Sequence, residues 1–368
     1  MLRPPLSLLT AELPSTVPFV GPEAQERARG GAFKARIGAN ESVFGPSDKV
    51  IAAMRAAAPA MWQYCDPENH GLKQALAAWH GVSPDNICIG EGIDGLFGTT
   101  ARLFLNPGDK VATSAGAYPT FNYQVAGAGG QIVTCDYVND REDPASLLAL
   151  ARREGARMIY LANPDNPMGT WWRAGEIQAM IDDLPEGVVL CLDEAYGEFA
   201  PAGTMPDIDV HNAQVLRFRT FSKAYGLAGL RVGYIIGEAQ LIKAYDKIRN
   251  HFGVTRMAQV AAEAALADED WLKAVIVRVH AARHEITRIA HDNYLEALPS
   301  ATNFVAVDCG RDGAFAKAVL DSLVQQGVFV RMPGVAPLNR CIRVSAGRED
   351  DLDHFEQALP KALVAARG

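Results

Sequence analysis

Short apolar runs alternate with stretches of helical spacing from about residue 86 to residue 237. The runs are NICIG, KVATS, QIVTCDY, RMIYLA, VVLCLDE, VLRFRTFS and RVGYIIG. They are nearly continuous in hydrophobicity rather than alternating, which predicts strands buried on both faces. Six or seven such strands separated by helices imply an open, mostly parallel α/β sheet flanked by helices. Ahead of them, Val50, Ile51, Met54 and Ala58 fall on one helical stripe and Leu72, Leu76 and Trp79 on another. Beyond residue 239 the pattern changes to a long helical stretch reaching about 297. The strand-like segments NFVAVD, VFVRM and CIRVS follow, with helices between and after. This predicts a smaller α+β domain. The Pro- and Gly-rich start reads as an arm over 1–40, followed by a large domain over 41–250 and a small one over 251–368. The boundary is expected inside a long helix near residue 250.

Composition narrows the class. A chain of 368 residues is long enough for one large and one smaller core. The formal charge of -8 disfavours a nucleic-acid backbone as the main partner. No apolar run approaches the length of a membrane span, and Pro4 and Pro5 interrupt anything resembling a leader. The six cysteines are scattered without a C-x-x-C pair and read as reduced thiols. A cytoplasmic enzyme is the expectation.

Chemistry gathers where the predicted strands end. RMIYLA runs into NPDNPMG, VVLCLDEAY ends in Asp193, Glu194 and Tyr196, and VLRFRTFSKAYGLAGLRVGY delivers Thr220, Ser222, Lys223 and Arg231. C-terminal strand ends of a parallel sheet share one edge, where ligands bind. An Asn, an Asp, a Tyr, a Lys and an Arg should therefore converge there. That set suits pyridoxal phosphate, which needs a lysine for its aldehyde, an acid against its pyridine nitrogen, and donors for its phenolic oxygen and phosphate. Gly90, Gly92 and Gly95 also form a G-x-G-x-x-G that opens a helix. Alone it would fit a dinucleotide as well, so a nicotinamide-dependent oxidoreductase is a distant alternative. His280 and His284 have zinc-compatible spacing, but the glutamate and a third ligand are missing. They read as a solvated helix face, and no metal is expected.

These motifs, together with IGANESVFGPSDKV, GEGIDGLF, AYPTFNY, NFVAVD and CIRVSAGRED, resemble in order and spacing the fold-type I pyridoxal-phosphate aminotransferases, specifically the histidinol-phosphate aminotransferase-like group. The resemblance covers nearly the whole chain. It implies that Lys223 carries the cofactor and moves the proton, and that Asp193 keeps the pyridine nitrogen protonated. Tyr196 and Asn166 would hydrogen-bond the phenolic oxygen, while Phe121 would stack on the ring. Arg231, Ser222, Thr220 and the helix start at Gly92, Ile93 and Asp94 would hold the phosphate. Tyr64 would reach the phosphate of a partner subunit in a homodimer. Arg343 and Arg331 would grip the substrate, with Asn40 and Phe19 beside it.

The chain departs from that pattern on the substrate side. Phe19 stands where the group usually has a tyrosine, Ile93-Asp94-Gly95 replaces Ser-Asp-Glu, and Met168 replaces a threonine. The segment after Arg331, MPGVAPLN, lacks the expected acidic residue. The reaction implied is amino transfer from an amino acid or amino-alcohol phosphate, histidinol phosphate among them, to a keto acid such as 2-oxoglutarate. A decarboxylase of a phosphorylated amino acid on the same scaffold is the alternative. A non-catalytic regulator with this fold is disfavoured by the intact lysine and by an arm too short for a DNA-binding helix-turn-helix.

Overall fold

The computed structural model describes residues 4–15 and 20–368. In chain order its strands are β1 (Ala35–Arg36), β2 (Ile87–Gly90), β3 (Lys110–Ser114), β4 (Gln131–Cys135), β5 (Met158–Ala162), β6 (Val189–Asp193), β7 (Val215–Thr220), β8 (Gly233–Ile236), β9 (Glu296–Ala297), β10 (Phe304–Asp308), β11 (Val328–Phe329) and β12 (Cys341–Ser345). Seven of them form the main sheet in the order β2-β8-β7-β6-β5-β3-β4. The pairs from β4 to β7 are parallel, and β8 lies antiparallel between β7 and β2. All seven apolar runs thus became strands of one mostly parallel sheet.

The reason those runs lack polar alternation is visible in the packing. Met158, Tyr160 and Ala162 of β5 face one apolar core, while Ile159 and Leu161 face another. In β6, Val189 and Cys191 join the first core and Leu190 and Leu192 the second. Successive side chains point to opposite faces, and helices cover both. On the second face lie the helices Pro144–Glu154 and Ala174–Asp182, through Leu147, Leu148 and Ile177. The Asp143 carboxylate caps the first of these at the Ser146 amide (2.8 Å), and Gly155, at φ 63°, ends it.

A second, antiparallel sheet has the order β12-β10-β9, and β1 pairs in parallel with β11. The helical stretch after residue 239 differs from a single long helix. It breaks into Ala239–Ala244, a short 3₁₀ turn at Tyr245–Lys247, Arg256–Leu266 and Glu269–Asp292. Residue 250 falls in the irregular segment between them. At that break lie Gly253, where a Cβ would overlap the Glu91 side chain, and Thr255, whose side chain caps the next helix. Among the described residues, no helix is long and apolar enough to cross a membrane. The six cysteines are free thiols.

Directly after β6, Glu194 is buried against two arginines of β7. Its carboxylate accepts from Arg217 Nη2 at 2.6 Å and Nε at 3.0 Å, and from Arg219 Nη1 at 3.2 Å. Arg219 also donates to Glu198 at 3.0 Å. Burial pushes the Glu194 carboxyl up, but the two guanidinium groups overcome it and hold the carboxyl below its usual range. Removing one partner from such a network leaves a buried charge uncompensated. Glu194→Ala is therefore expected to lose about 3–5 kcal/mol of unfolding free energy. Urea denaturation checks this, and a loss below about 1 kcal/mol, the scale of an exposed pair, would contradict it.

Candidate active site

The C-terminal edge of the main sheet opens into a cavity of about 650 Å³ whose wall includes Asp193, Tyr196, Thr220, Ser222, Lys223, Arg231, Asn166 and Arg343. These come from the ends of β5, β6 and β7, from the segment before β8, and from β12. Lys223 and Asp193 share this one cavity.

Asp193 is the last residue of β6, 5% exposed, with one oxygen accepting from Tyr160 Oη (2.8 Å) and the other from the Ala195 amide (3.0 Å). Burial pushes its carboxyl up to about 6, against which the Tyr160 hydroxyl and Ala195 amide pull down. Among the described residues no cation is hydrogen-bonded to it. A buried carboxylate of this kind is stabilised by a positive donor from outside the chain, such as a protonated ring nitrogen.

Lys223 follows β7 by three residues, and its Nζ donates to the Asn40 carbonyl at 3.2 Å and lies 5.6 Å from the Tyr196 ring centre. Burial, with Arg343 and Arg231 adding to it and Asp94 and Glu41 opposing, lowers its ammonium to about 8. Tyr196 Oη accepts from Asn40 Nδ2 at 3.0 Å. Burial raises the phenol, although Arg343 and Asn40 pull it down. Asn166 Oδ1 accepts from Arg343 Nη1 at 2.6 Å, which leaves the Asn166 amide nitrogen as a donor. Burial lowers Arg343 to about 10, and its guanidinium lies 5.2 Å from the Phe304 ring centre.

At the opposite end of the cavity the helix Gly92–Phe104 begins. Its first amides, at Gly92, Ile93 and Asp94, are not bonded within the helix and carry the positive end of its dipole. Gly92 has φ 72°, and a Cβ there would meet Arg231 Nη2 at 2.6 Å. The glycine therefore lets Arg231 lie across the helix start. Arg231 Nη1 donates to Ser222 Oγ (3.3 Å) and its Nη2 reaches Asp94 (3.4 Å). Thr220 Oγ1 donates to Ser222 Oγ at 3.0 Å. Amides, two hydroxyls and a guanidinium on one rim suit a phosphate ester.

Two expected positions, Phe121 and Tyr64, lie off the cavity wall, and Asn40 meets it in another way than expected. Phe121 does not line the cavity: it is 1% exposed and stacks on Tyr160 at 4.4 Å. Its helix starts at Pro119, and position 121 turns back onto the sheet. Tyr118, the residue that precedes that helix, lines the cavity instead and donates to Asp94 Oδ1 at 3.0 Å. Asn40 touches the cavity, but its side chain is committed to Tyr196 and Ser345 rather than open to a substrate. Tyr64 stands outside the cavity, 81% exposed, its ring 5.0 Å from that of Phe252. Phe19 lies outside the described residues. Arg331 does line the cavity and donates to the Val20 carbonyl at 2.7 Å. Tyr160, Tyr118 and Ser345 are the contributors that sequence reading missed. Of these only Tyr160 carried a signal: a phenol inside an apolar strand needs a buried partner.

Comparison with known proteins gives the family. The family model for aminotransferases of class I and II matches residues 34–359. Histidinol-phosphate aminotransferase 2 of Carboxydothermus hydrogenoformans is 36% identical over 357 residues, covering 94% of this chain and 96% of that protein. Histidinol-phosphate aminotransferase 1 of Mesorhizobium japonicum is 34% identical over 89% of this chain and 90% of its own length. Among solved structures, histidinol-phosphate aminotransferase from Sinorhizobium meliloti, in complex with pyridoxal-5'-phosphate, is 54% identical with a TM-score of 0.95, over 98% of this chain and 97% of that one.

Proposed function

Because the chain belongs to the class I and II aminotransferases and works with pyridoxal phosphate, we propose that it moves an amino group from histidinol phosphate, or a close amino-alcohol phosphate or amino acid, to 2-oxoglutarate. The observation that carries this reading is the meeting of Lys223, Asp193 and Arg231 around one cavity that Arg343 and Arg331 also line. When bound, pyridoxal phosphate supplies an electron sink for the bonding pair released at the substrate's Cα. The remaining work belongs to the chain. Lys223 would anchor the aldehyde, then carry the proton from the donor's Cα to the aldehyde carbon, and in the reverse direction with the keto acid. Asp193 would hold a proton on the ring nitrogen, while Tyr196 and Asn166 would donate to the phenolic oxygen. Gly92, Ile93, Asp94, Thr220, Ser222 and Arg231 would hold the phosphate, and Tyr118, on the cavity wall, would serve in the place expected for Phe121.

Arg343 binds the carboxylate of the keto acid through its planar guanidinium, which Asn166 and Phe304 keep oriented. Arg331 receives the far anionic group of either substrate. The exposed Tyr64 completes the phosphate site of a second copy in a homodimer. Small molecules are the substrates of this family, and the chain's acidity fits that use.

The experiment is a donor panel against 2-oxoglutarate, containing histidinol phosphate, histidine and the aromatic amino acids, with glutamate and carbon dioxide both measured. Glutamate formation with histidinol phosphate as the best donor supports the reading. Carbon dioxide without glutamate would replace it with decarboxylation. Arg343→Lys keeps the charge but loses the two-pronged geometry. It is expected to raise KM for 2-oxoglutarate by about 10–100-fold, the worth of a charge-assisted hydrogen bond of about 1.5–3 kcal/mol. An unchanged KM would place the carboxylate elsewhere.

A further inference from the structure

Asn40 is a non-glycine residue held in the left-handed region, with φ 56°. That conformation is unfavourable for most side chains, asparagine being among the more tolerant. It gathers a set of contacts that an extended backbone could not make together. The Asn40 carbonyl accepts from Lys223 Nζ at 3.2 Å and from Asn303 Nδ2 at 3.1 Å. Its amide donates to Ser345 Oγ at 3.0 Å, and Ser345 Oγ donates its single proton to Asn40 Oδ1, also at 3.0 Å. Ser345 is fixed in turn by its own amide, which donates to the Ile37 carbonyl at 2.7 Å.

In this network the Asn40 Oδ1 accepts from serine, and Nδ2 faces Tyr196 and donates to its oxygen at 3.0 Å. A phenol that accepts there must direct its own proton elsewhere. Among the described residues Tyr196 Oη has no acceptor, and its residue lines the cavity.

We propose that Asn40 is a positioning residue of the amino-transfer reaction, aiming the Tyr196 hydroxyl proton into the cavity through its side chain and holding the Lys223 amine through its carbonyl, with Ser345 locking both. The proposal rests on the aminotransferase reading. It also ties the strand that carries Arg343 to the lysine and the phenol, since Ser345 lies two residues beyond Arg343 on β12. Substrate grip and proton transfer are thereby joined by hydrogen bonds through one side chain.

Two substitutions separate the parts. Asn40→Gly tolerates the left-handed backbone and keeps the carbonyl, but removes the amide. Asn40→Asp keeps an acceptor for Ser345 and puts a second acceptor against Tyr196, which then turns its proton away from the cavity. Loss of that donor leaves more negative charge beside the cofactor-linked nitrogen and favours its protonation. The visible absorption band of the pyridoxal-phosphate-loaded protein is the readout. Its titration midpoint is expected to rise by about 1 pH unit in Asn40→Asp and in Asn40→Gly, the scale of losing one hydrogen bond to a charged group. Ser345→Ala should shift it the same way by less, and Ser345→Thr should match wild type.

The charged groups around Lys223 are Arg343, Arg231, Asp94 and Glu41, and those around Tyr196 are Arg343, Asp193 and Asp165. All remain in every variant; Asn40→Asp adds a carboxylate of its own, so the shift in Asn40→Gly, which adds no charge, is the one that reports the lost side-chain contact. In cofactor-free protein, the pH dependence of Lys223 acylation should be unchanged in Asn40→Gly, whose carbonyl remains. Turnover is expected to fall about 10–100-fold in Asn40→Asp with KM for 2-oxoglutarate held within about threefold, as for a lost proton-transfer aid. An Asn40→Asp protein that titrates at the wild-type midpoint overturns the proposal, as does a turnover loss in Asn40→Gly with no midpoint shift. Wild-type protein that takes up no cofactor defeats the aminotransferase reading itself. Variants that take it up and titrate alike defeat only the role of Asn40.

Discussion

Lys223→Ala protein turns over at least about 10⁴-fold more slowly than wild type, the upper range for loss of a positioned general base. The lysine is mounted directly after β7, where Thr220, Phe221 and Ser222 are all buried and leave its backbone little freedom. Its burial brings the ammonium from 10.5 down to about 8. At pH 7 roughly a tenth of the amine is then neutral, against less than about one part in a thousand for an ordinary lysine. Only the neutral amine attacks an aldehyde. The rate of pyridoxal-phosphate attachment should therefore rise about tenfold per pH unit below 8 and level off above it, as expected for a single titrating amine. Borohydride treatment followed by peptide mapping should leave a pyridoxyl group on Lys223 in wild type and none there in the variant. Small primary amines should restore part of the turnover of Lys223→Ala, because they can occupy the vacated space and carry the proton. Turnover within tenfold of wild type, or a pyridoxyl group mapped to another lysine, would remove Lys223 from the centre of the mechanism.

The residues legible in the sequence are those whose position follows from strand order alone. Asp193 ends β6, and Lys223 and Arg231 flank the turn between β7 and β8, so naming the strands was enough to put them on one edge. Continuous apolar runs made the strands easy to find, since β5 and β6 are buried on both faces. Phe121 shows where this reasoning stops. Its placement depends on the residue at which a short helix begins, and one shift of phase exchanges it for Tyr118. Asn40 shows a second limit: its partner Ser345 lies 305 residues away, and no local pattern pairs them. The break near residue 250 is a third. Apolar spacing continues across it, while the turn depends on Gly253 packing against Glu91, a contact made only in the folded chain.

Asp193→Asn is expected to lower kcat/KM by about 10²–10⁴-fold, the equivalent of the 3–5 kcal/mol that follows removal of one partner from a buried charge pair. The amide is nearly the same size, so the fold should survive: its single oxygen can keep the Ala195 amide, and the Tyr160 hydroxyl can turn to accept from the amide nitrogen. What is lost is the negative charge. The carboxyl sits at about 6 when it has only neutral donors around it. A protonated ring nitrogen would bring it down, and by reciprocity the ionised carboxylate keeps that nitrogen protonated at neutral pH. With asparagine the nitrogen loses its proton and the ring draws electrons from Cα less strongly. The loss should therefore fall on the proton-transfer step, seen as a larger isotope effect with Cα-deuterated donor, while cofactor content measured by absorbance stays near wild type. Tyr160→Phe removes one donor to the same carboxylate and should cost about tenfold, in line with one charge-assisted hydrogen bond. An Asp193→Asn enzyme within tenfold of wild type, with its cofactor in place, would mean that the nitrogen's proton is held by some other group, and the electron-sink role assigned to this carboxylate would fall.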